Sequence, residues 1–356
     1  MLDPVKTPYF DGHNDVLLRL YMGDHAKAEQ GFLAGDGTGH LDLPRARQGG
    51  IVGGLFAAYC PSPGVPVSTT HSPLRDGPYS RPLPPPLDLE GARAAVLAQV
   101  AMLMRIERAS DGQVTVCRDV YAVRGAVARG SFAIVLHLEG ADGIDPDLHM
   151  LDVLQAAGLR SLGPVWSRNN RFGHGVPMRF PGSPDTGPGL TEAGERLVRA
   201  CNRLRIMIDL SHITEQGFWD VARLSDAPLV ATHSNVHALC PHPRNLTARQ
   251  LDAIKASDGL VGLNLATSFL RPDGEMRADT EIDLVVQHMD GLIVALGETR
   301  MALGSDFDGC IIPDAVGSAA GSQAMFDAFR ARGYGAALIE RLAFSNWMRV
   351  LEATIG

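Results

Sequence analysis

The sequence has few cysteines, and none of them are closely paired. Five cysteines occur in 356 residues, an odd number, and no two form a Cys-x-x-Cys pair. This composition indicates neither a disulfide framework nor a thiolate zinc site. We expect most of the cysteines to be reduced residues of the core.

Long apolar runs and clusters of positive charge are also absent. No stretch approaches the roughly 20 apolar residues of a membrane-spanning helix, and residues 1–6 lack the features of a secretory signal. Acidic residues outnumber basic ones by 40 to 32, giving a net charge of -8, and like charges never run to five. We therefore expect a cytoplasmic protein whose partners include no nucleic acid and no membrane.

Short apolar segments that alternate with helix-period segments dominate the rest of the sequence. About eight such strand–helix units follow one another, and 45% of the residues are hydrophobic, enough for a large core. The pattern predicts an α/β fold, a (β/α)8 TIM-like barrel formed by residues 1–356 as a single domain. An open doubly wound sheet would need a phosphate loop directly after a strand, and the glycine-rich stretch 35–39 does not follow one.

Two segments depart from this alternation. Nine of the chain's 23 prolines lie between Cys60 and Leu87, which predicts a long, stiff loop at 60–87. It follows the second strand, so we expect it on the side of the strand ends. Residues 324–355 are helical by pattern and are predicted to be closing C-terminal helices.

Polar side chains stand where several predicted strands stop. The carboxyl ends of barrel strands meet at one mouth, so these residues converge although they are distant in sequence. Histidines and carboxylates without cysteine suit Zn²⁺, Mn²⁺, Co²⁺ or Fe²⁺, and one carboxylate can bridge two ions. The arrangement predicts metal-assisted hydrolysis. The strand-end residues are His13, Asp15, Glu139, His212, His233 and Asp306.

Several other aspartate and histidine residues are not predicted to be metal ligands. Asp11 should share a strand face with His13 and Asp15 because residues two apart in a strand point the same way. His137 should face inward one layer below the mouth, where packing is expected. The remaining histidines that we expect to be solvated are His25, His40, His71, His149 and His288.

Taken together, the motifs resemble the renal (membrane) dipeptidase family. They occur in the family's order and at similar spacing from residue 10 to about residue 355. The resemblance implies a metal-dependent amidohydrolase barrel with two Zn²⁺ ions, and a soluble bacterial-type member. The motifs are Asp11-Gly12-His13-Asn14-Asp15, His137-Leu138-Glu139-Gly140, Ile208-Asp209-Leu210-Ser211-His212, Thr232-His233-Ser234, Arg244-Asn245 and Gly304-Ser305-Asp306-Phe307-Asp308-Gly309.

The resemblance also implies a ligand set. His13 and Asp15 are similar to the ligands of one zinc, His212 and His233 to those of the other, and Glu139 to the bridging carboxylate.

Two further roles follow from the same resemblance. Arg244 resembles the arginine that holds the substrate's free carboxylate, a task that suits a guanidinium fork. Asp306 resembles the carboxylate that takes a proton from the bridging water and passes it to the leaving amine.

One departure concerns the donor to the scissile carbonyl oxygen. Mammalian members carry Thr-His-Ser after strand four, whereas this sequence reads Val165-Trp166-Ser167. Either the indole N–H of Trp166 takes over this contact, or His174 does, between two glycines that give its backbone freedom. We favour His174 because it restores an imidazole.

The sequence therefore predicts a zinc-dependent dipeptidase that cleaves small dipeptides with a free C-terminal carboxylate by attack of a metal-bridging hydroxide. The alternatives are another amide or lactam hydrolase, such as a β-lactam hydrolase, on the same binuclear site, and a non-catalytic ligand-binding barrel. The native metal, the side-chain and L/D preference, and the formation of a homodimer stay open.

Overall fold

The computed structural model describes residues 6–62 and 77–356. Its strands are β1 (Tyr9–Asn14), β2 (Ile51–Tyr59), β3 (Tyr79–Ser80), β4 (Val114–Val116), β5 (Phe132–Glu139), β6 (Leu159–Gly163), β7 (Arg179–Phe180), β8 (Met207–Ile208), β9 (Val230–Ala231), β10 (Leu260–Leu263) and β11 (Met301–Leu303).

The helices lie mostly between these strands. They are α1 (Val16–Met22), α2 (Ala28–Leu33), α3 (Leu43–Gly49), α4 (Leu89–Ala109), α5 (Val120–Ala128), α6 (His149–Ala157), α7 (Glu192–Leu204), α8 (Glu215–Leu224), α9 (Ala248–Ala256), α10 (Thr267–Leu270), α11 (Ile282–Leu296), α12 (Gln323–Arg332), α13 (Ala336–Glu340) and α14 (Asn346–Thr354). Short 3₁₀ turns occur at His25–Lys27 and Ala319–Gly321, and a π-helical turn at Arg341–Ser345 joins α13 to α14.

Eight parallel strands form the barrel. Strands β1, β2, β5, β6 and β8 pair in that order, and β9, β10 and β11 form a second parallel sheet. Parallel bridges from Asp209 to Val230 and from Asn14 to Phe307 join the two sheets at both edges. Strand β4 pairs with the first residues of β5, Phe132–Ile134, ahead of the part of β5 that pairs with β6. The predicted (β/α)8 barrel is confirmed.

The end of the barrel opposite the mouth is filled by apolar side chains and by α14. Trp347 is fully buried, and its indole N–H donates to the carbonyl oxygen of Leu303 over 2.9 Å. Its ring lies against Gly12 of β1, where an added Cβ would meet the ring at 2.2 Å. Glycine is therefore needed at this position for close packing. Helices α12–α14 occupy the predicted closing region, and the assignment of the whole chain to one domain stays a prediction.

The proline-rich loop is described only at its two ends. Residues 63–76, the central part of the predicted loop, lie outside the described residues. After them, β3 pairs antiparallel with β7, and the rings of Tyr79 and Phe180 stack at 6.2 Å. Arg81 and Pro84, which follow β3, line the cavity at the mouth. The described end of the loop thus lies on the side of the strand ends.

His288 departs from expectation. We expected this histidine to be solvated, but it is 1% exposed on α11. The backbone N–H of Val236 donates to its Nδ1 atom over 3.2 Å, so its Nε2–H donates to the carbonyl oxygen of Leu270 at 3.0 Å. The prediction was wrong because the helix period places His288 on the same face as the core residues Val285 and Met289.

In the part of the chain that the structure describes, no helix combines the length and the apolar character needed to cross a membrane.

Candidate active site

Five of the predicted residues meet at the mouth of the barrel. The Oε1 atom of Glu139 lies 2.9 Å from Nε2 of His212, 3.5 Å from Nε2 of His233 and 3.6 Å from Nε2 of His13. Nε2 of His13 is in turn 3.5 Å from Oδ2 of Asp15. All five side chains are buried. The strands therefore bring together residues that are more than 200 positions apart in sequence.

The donor atoms fall into two groups that share Glu139. One group contains His13, Asp15 and Glu139, the other Glu139, His212 and His233, and within each group the ligand atoms lie within 4.8 Å of one another. Both ring nitrogens of His13 are buried without a hydrogen-bond partner, although buried polar atoms are normally satisfied. Imidazole and carboxylate donors suit Zn²⁺ and similar divalent ions. The residues present thus fit two metal ions with a shared carboxylate.

Hydroxyl groups behind two of the histidines orient their rings. Ser167 Oγ lies 2.9 Å from Nδ1 of His212, and Thr232 Oγ1 lies 2.8 Å from Nδ1 of His233. These contacts leave both Nε2 atoms facing Glu139. Partners of this kind fix the ring orientation of metal-binding histidines.

Asp209 is a residue that the ligand prediction passed over. Its carboxylate lies near enough to His13 and His233 to form a third group of possible donors. Both carboxylate oxygens, however, already accept hydrogen bonds from Ser211 and Thr232. Asp209 therefore supports the two loops that carry His212 and His233. It stands in the Ile208–His212 motif, so its position was visible in the sequence.

Asp11 also has a supporting position. Its two carboxylate oxygens accept from the backbone N–H and the hydroxyl of Ser305, each at 2.8 Å. It thereby ties β1 to the turn after β11. The shared strand face does not bring Asp11 into the cluster.

Burial and neighbouring charged groups shift the pKa values of the residues in the cluster. Burial, with Asp15 adding to it, raises the pKa of Glu139 well above its ordinary value. Burial holds the pKa values of His212 and His233 well below the ordinary range, so both imidazoles are neutral. Burial opposes charge on His13 as well, but Glu139 and Asp15 outweigh it and raise its pKa to about 10. His212 and His233 are therefore in the neutral form that binds a metal, whereas a metal ion at His13 would replace its proton.

Asp306 projects into the same cavity from the turn after β11. Asn264 Nδ2 donates to its Oδ2 atom over 2.9 Å, and its backbone N–H donates to the carbonyl oxygen of His13. Burial, reinforced by Asp15, raises the pKa of Asp306 to about 7. Its backbone has a φ of 61°, in the left-handed region. The turn thus holds the carboxylate of Asp306 beside the cluster, where its hydrogen-bond partner is a neutral amide and not a cationic side chain.

The conformation of this turn is stabilised from outside the cavity. Asp308, also left-handed at φ 69°, accepts from Arg19 Nε over 3.1 Å. The backbone N–H of Asp308 donates to Nδ1 of His40 at 3.0 Å. Asp308 thus lies in the turn and ties it to Arg19 and His40.

Arg244 lies next to the histidine pair. Its guanidinium donates to the carbonyl oxygen of His233 over 3.1 Å and stands 5.3 Å above the ring of Phe269, which lines the cavity. Nε has no hydrogen-bond partner among the described residues. Burial lowers the pKa of Arg244 to about 10. The guanidinium therefore stays cationic at neutral pH and retains an unused donor.

Trp166 and His174, the two candidates for the carbonyl donor, have different positions. Trp166 lines the cavity, with its ring 5.8 Å from that of His212 and 5.1 Å from that of Tyr59. His174 is absent from the described residues of the cavity wall, and its Nδ1 atom lies 2.8 Å from the carbonyl oxygen of Gly189. The structure brings Trp166 to the site and does not bring His174 there.

The cavity above the cluster has a volume of about 250 Å³. Asp15, Glu139, His212 and Asp306 form its polar floor. Its remaining wall is mostly apolar and is formed by residues such as Leu18, Tyr59, Met178, Phe269, Met276 and Ile311. A cavity of this volume, with a polar floor and a mostly apolar wall, fits a small molecule.

Comparison with known proteins agrees with this geometry. A model of the membrane dipeptidase family, peptidase family M19, matches residues 4–355. The chain belongs to this family. Its barrel is therefore of the metal-dependent amidohydrolase type, and the M19 assignment makes it a metallopeptidase and a dipeptidase by class.

Solved structures of M19 relatives superpose over nearly the whole chain. A metallo peptidase from Rhodobacter sphaeroides, liganded with a phosphinate mimic of the dipeptide L-Ala-D-Ala, is 53% identical with a TM-score of 0.95, covering 98% of this chain and 99% of its own. The structure of dipeptidase AC, a metallo peptidase of family M19, is also 53% identical with a TM-score of 0.94 and the same coverage. An uncharacterised Klebsiella pneumoniae protein in the pqqA 5′ region is 47% identical over 254 residues, 71% of this chain and 94% of its own length.

Proposed function

We propose that this M19 family member hydrolyses small dipeptides that have a free C-terminal carboxylate, using two divalent metal ions, with Zn²⁺ as the expected ion. The observation that carries the proposal is the pair of donor groups that share Glu139. A catalytic site for a single zinc needs about three protein ligands, and five side chains with a shared carboxylate exceed that number.

The ligands divide between the two ions. His13 and Asp15 would hold one, His212 and His233 the other, and Glu139 would bridge them. When bound, the two ions supply Lewis acidity, which lowers the pKa of water and polarises the carbonyl group of the substrate.

Asp306 would act as the general acid and base. Its carboxylate is buried beside the cluster and is held by one neutral amide, so it can accept a proton from the attacking water and return it to the leaving amine. Transfer from the water to the amine keeps the protons in balance and leaves Asp306 ready for the next cycle.

Arg244 would hold the C-terminal carboxylate of the dipeptide. It is cationic, it has a free Nε–H among the described contacts, and it lies against the Phe269 part of the cavity wall. A guanidinium–carboxylate contact is strong and directional. This contact would fix the peptide bond over the cluster and would favour substrates with a free carboxyl end.

The size of the cavity and the Rhodobacter sphaeroides relative together suggest the substrate class. That relative was solved with a mimic of L-Ala-D-Ala, and it is 53% identical to this chain. We propose that small dipeptides, including those with a D residue at the C-terminal position, enter the apolar cavity. Trp166 would form part of the wall against which the substrate packs.

A panel of substrates tests the proposed function. The metal-loaded protein should hydrolyse L-Ala-D-Ala or L-Ala-L-Ala, and amidation of the C-terminus should lower kcat/KM by at least about tenfold, the effect of losing about 1.4 kcal/mol. Penicillin-type β-lactams in the same panel represent the lactam alternative. Hydrolysis of lactams without dipeptides, or bound metal without turnover of any amide, would contradict the proposal.

A further inference from the structure

Tyr59 is a cavity residue that neither the ligand set nor the proton shuttle uses. It is the last residue of β2, paired in register with Glu139 at the end of β5. Its backbone N–H donates to Oε1 of Gln99, and its carbonyl oxygen accepts from Nε2 of the same side chain at 2.6 Å. Gln99 is itself fully buried on α4. The phenol is therefore presented to the cavity from a fixed point of the backbone.

A buried cation stands behind this phenol. Arg168 is 1% exposed, and its guanidinium donates to the hydroxyl oxygen of Tyr59 over 3.5 Å and to the carbonyl oxygen of Cys60 over 2.7 Å. The guanidinium carbon lies 5.7 Å from the Tyr59 ring centre and 5.5 Å from that of Trp166. Arg168 thus anchors both aromatic residues of this wall and the chain that follows β2.

The hydroxyl hydrogen of Tyr59 is available for a ligand. Its oxygen accepts from Arg168, and no described residue accepts its hydrogen. A tyrosine phenol is protonated at neutral pH, so its hydroxyl can act as a donor. A donor whose oxygen already accepts from a guanidinium is polarised, because hydrogen bonds in a chain strengthen one another.

Amide hydrolysis needs such a donor. Negative charge grows on the carbonyl oxygen as the nucleophile adds, and a fixed donor aimed at that oxygen lowers the barrier. Trp166 also lines the cavity, but an indole N–H is a donor only and its nitrogen cannot accept a hydrogen bond from a cation, whereas the Tyr59 hydroxyl accepts directly from Arg168.

We propose that Tyr59 is a further catalytic residue, whose hydroxyl donates a hydrogen bond to the scissile carbonyl oxygen, and that Arg168 is the positioning residue that holds it. The inference rests on the proposed dipeptide hydrolysis and deepens it. It assigns to this chain a phenolic donor from β2 in place of the imidazole that the sequence lacks at position 166.

Tyr59→Phe tests the proposal, because it removes the hydroxyl and keeps the ring. We expect kcat to fall about 100- to 1,000-fold, as when other donors of this kind are lost, with KM within a few-fold of the parent and metal content unchanged. Affinity for a phosphinate mimic of the dipeptide should fall as well, since that mimic resembles the tetrahedral state. Tyr334→Phe removes a hydroxyl that is bonded to Asp290 away from the cavity, so it should behave like the parent.

The outcomes separate the candidates. Near-parental kcat in Tyr59→Phe overturns the role of Tyr59. A larger loss of kcat and of phosphinate affinity in Trp166→Phe than in Tyr59→Phe overturns it too, and assigns the donor to the indole. A parent protein that cleaves no dipeptide contradicts the proposed function and the Tyr59 role together, whereas an active parent with an equally active Tyr59→Phe contradicts the Tyr59 role alone.

Arg168→Met provides a second test that does not alter the phenol. If Arg168 acts through the hydroxyl, this change should lower kcat in the parent and have a much smaller effect in the Tyr59→Phe background, because the two residues are coupled. An equal loss in both backgrounds would show that Arg168 only supports the wall, and would overturn its positioning role.

Discussion

The buried polar residues at the mouth of the barrel are of two kinds, according to whether their polar side-chain atoms already have hydrogen-bond partners. Nε2 of His13 has no hydrogen-bond partner among the described residues, whereas Asp11 and Asp209 have their carboxylate oxygens filled by neighbouring hydroxyl and amide groups. Residues of the first kind can still bind a metal ion or a substrate. In residues of the second kind, the polar atoms form hydrogen bonds that stabilise the fold. Asp306 belongs with the first kind, because Asn264 Nδ2 is the one side-chain donor to its carboxylate among the described residues.

Asp306→Asn should abolish most of the activity and leave the metal content unchanged. The amide has nearly the same shape but cannot carry the proton, so kcat should fall at least about a hundredfold, the lower end for general acid–base catalysis. Steady-state kinetics and elemental analysis of the same preparation check both halves. Loss of metal, or turnover close to that of the parent, would contradict the proposed role.

Arg244→Met should remove the preference for a free carboxyl end. The parent is expected to favour free over amidated dipeptides, and without the guanidinium this ratio of kcat/KM values should approach one, mainly through a higher KM. Competition between a dipeptide and its amide in one assay measures the ratio directly. An unchanged ratio in Arg244→Met would show that another group binds the carboxylate.

His174→Ala should have little effect on kcat. The sequence favoured this histidine as the carbonyl donor, but its ring is held at the Gly189 carbonyl oxygen and does not line the described cavity wall. Turnover within a few-fold of the parent is therefore expected in a single-substrate assay. A loss of a hundredfold or more with metals retained would restore the original prediction.

At the residue scale, the sequence predicted which residues meet at the mouth of the barrel better than it predicted which side chains contact one another. Strand-end motifs were enough to predict that His13, Asp15, Glu139, His212 and His233 would meet, because parallel strands end at one mouth. The pairing of Arg168 with Tyr59 depends on a loop crossing that has no local sequence signal.

At the scale of the elements, the barrel depends on close packing at the end away from the mouth. Trp347 of α14 packs on Gly12 and bonds to Leu303 of β11, so the last helix is attached to two barrel strands. Asn346, the first residue of that helix, donates to the carbonyl oxygen of Met301 at 2.7 Å. The C-terminal helices therefore contribute to the core of the barrel.

Trp347→Ala should destabilise the protein strongly. Removing a fully buried tryptophan leaves a cavity and an unpaired carbonyl group, which typically costs about 3–5 kcal/mol in the free energy of unfolding. Val294→Ala on α11 is the matched control, because Val294 is 85% exposed and should change stability by less than about 0.5 kcal/mol. Urea unfolding followed by circular dichroism measures both. A midpoint of Trp347→Ala equal to that of the control would contradict the account.

Element limits were largely predictable from the sequence. The limits of α4 and α8 follow from the sequence pattern, since both helices have clear apolar periods and begin directly after a capping residue, Asp88 and Thr214. The fourth barrel strand, β6, ends at Gly163 because the chain bends at Pro164. The antiparallel pair β3–β7 was not predicted, since two-residue strands carry no periodic signal.

At the scale of the whole molecule, the barrel brings the residues of the proposed chemistry to one mouth. Two parallel sheets meet at both edges, the carboxyl ends of their strands converge, and a cavity of about 250 Å³ opens above five buried side chains that could hold metal ions. Family M19 membership follows from the match over residues 4–355. The number of ions that the site needs for turnover is the central quantity that the geometry predicts.

Titration of the metal-free protein with Zn²⁺, with hydrolysis of L-Ala-D-Ala recorded at each step, tests that number most directly. Because Glu139 is shared by two donor groups, activity should rise until two equivalents of zinc per chain are bound and then stay constant. Full activity at one equivalent, or no dipeptide hydrolysis with two equivalents bound, would contradict the account.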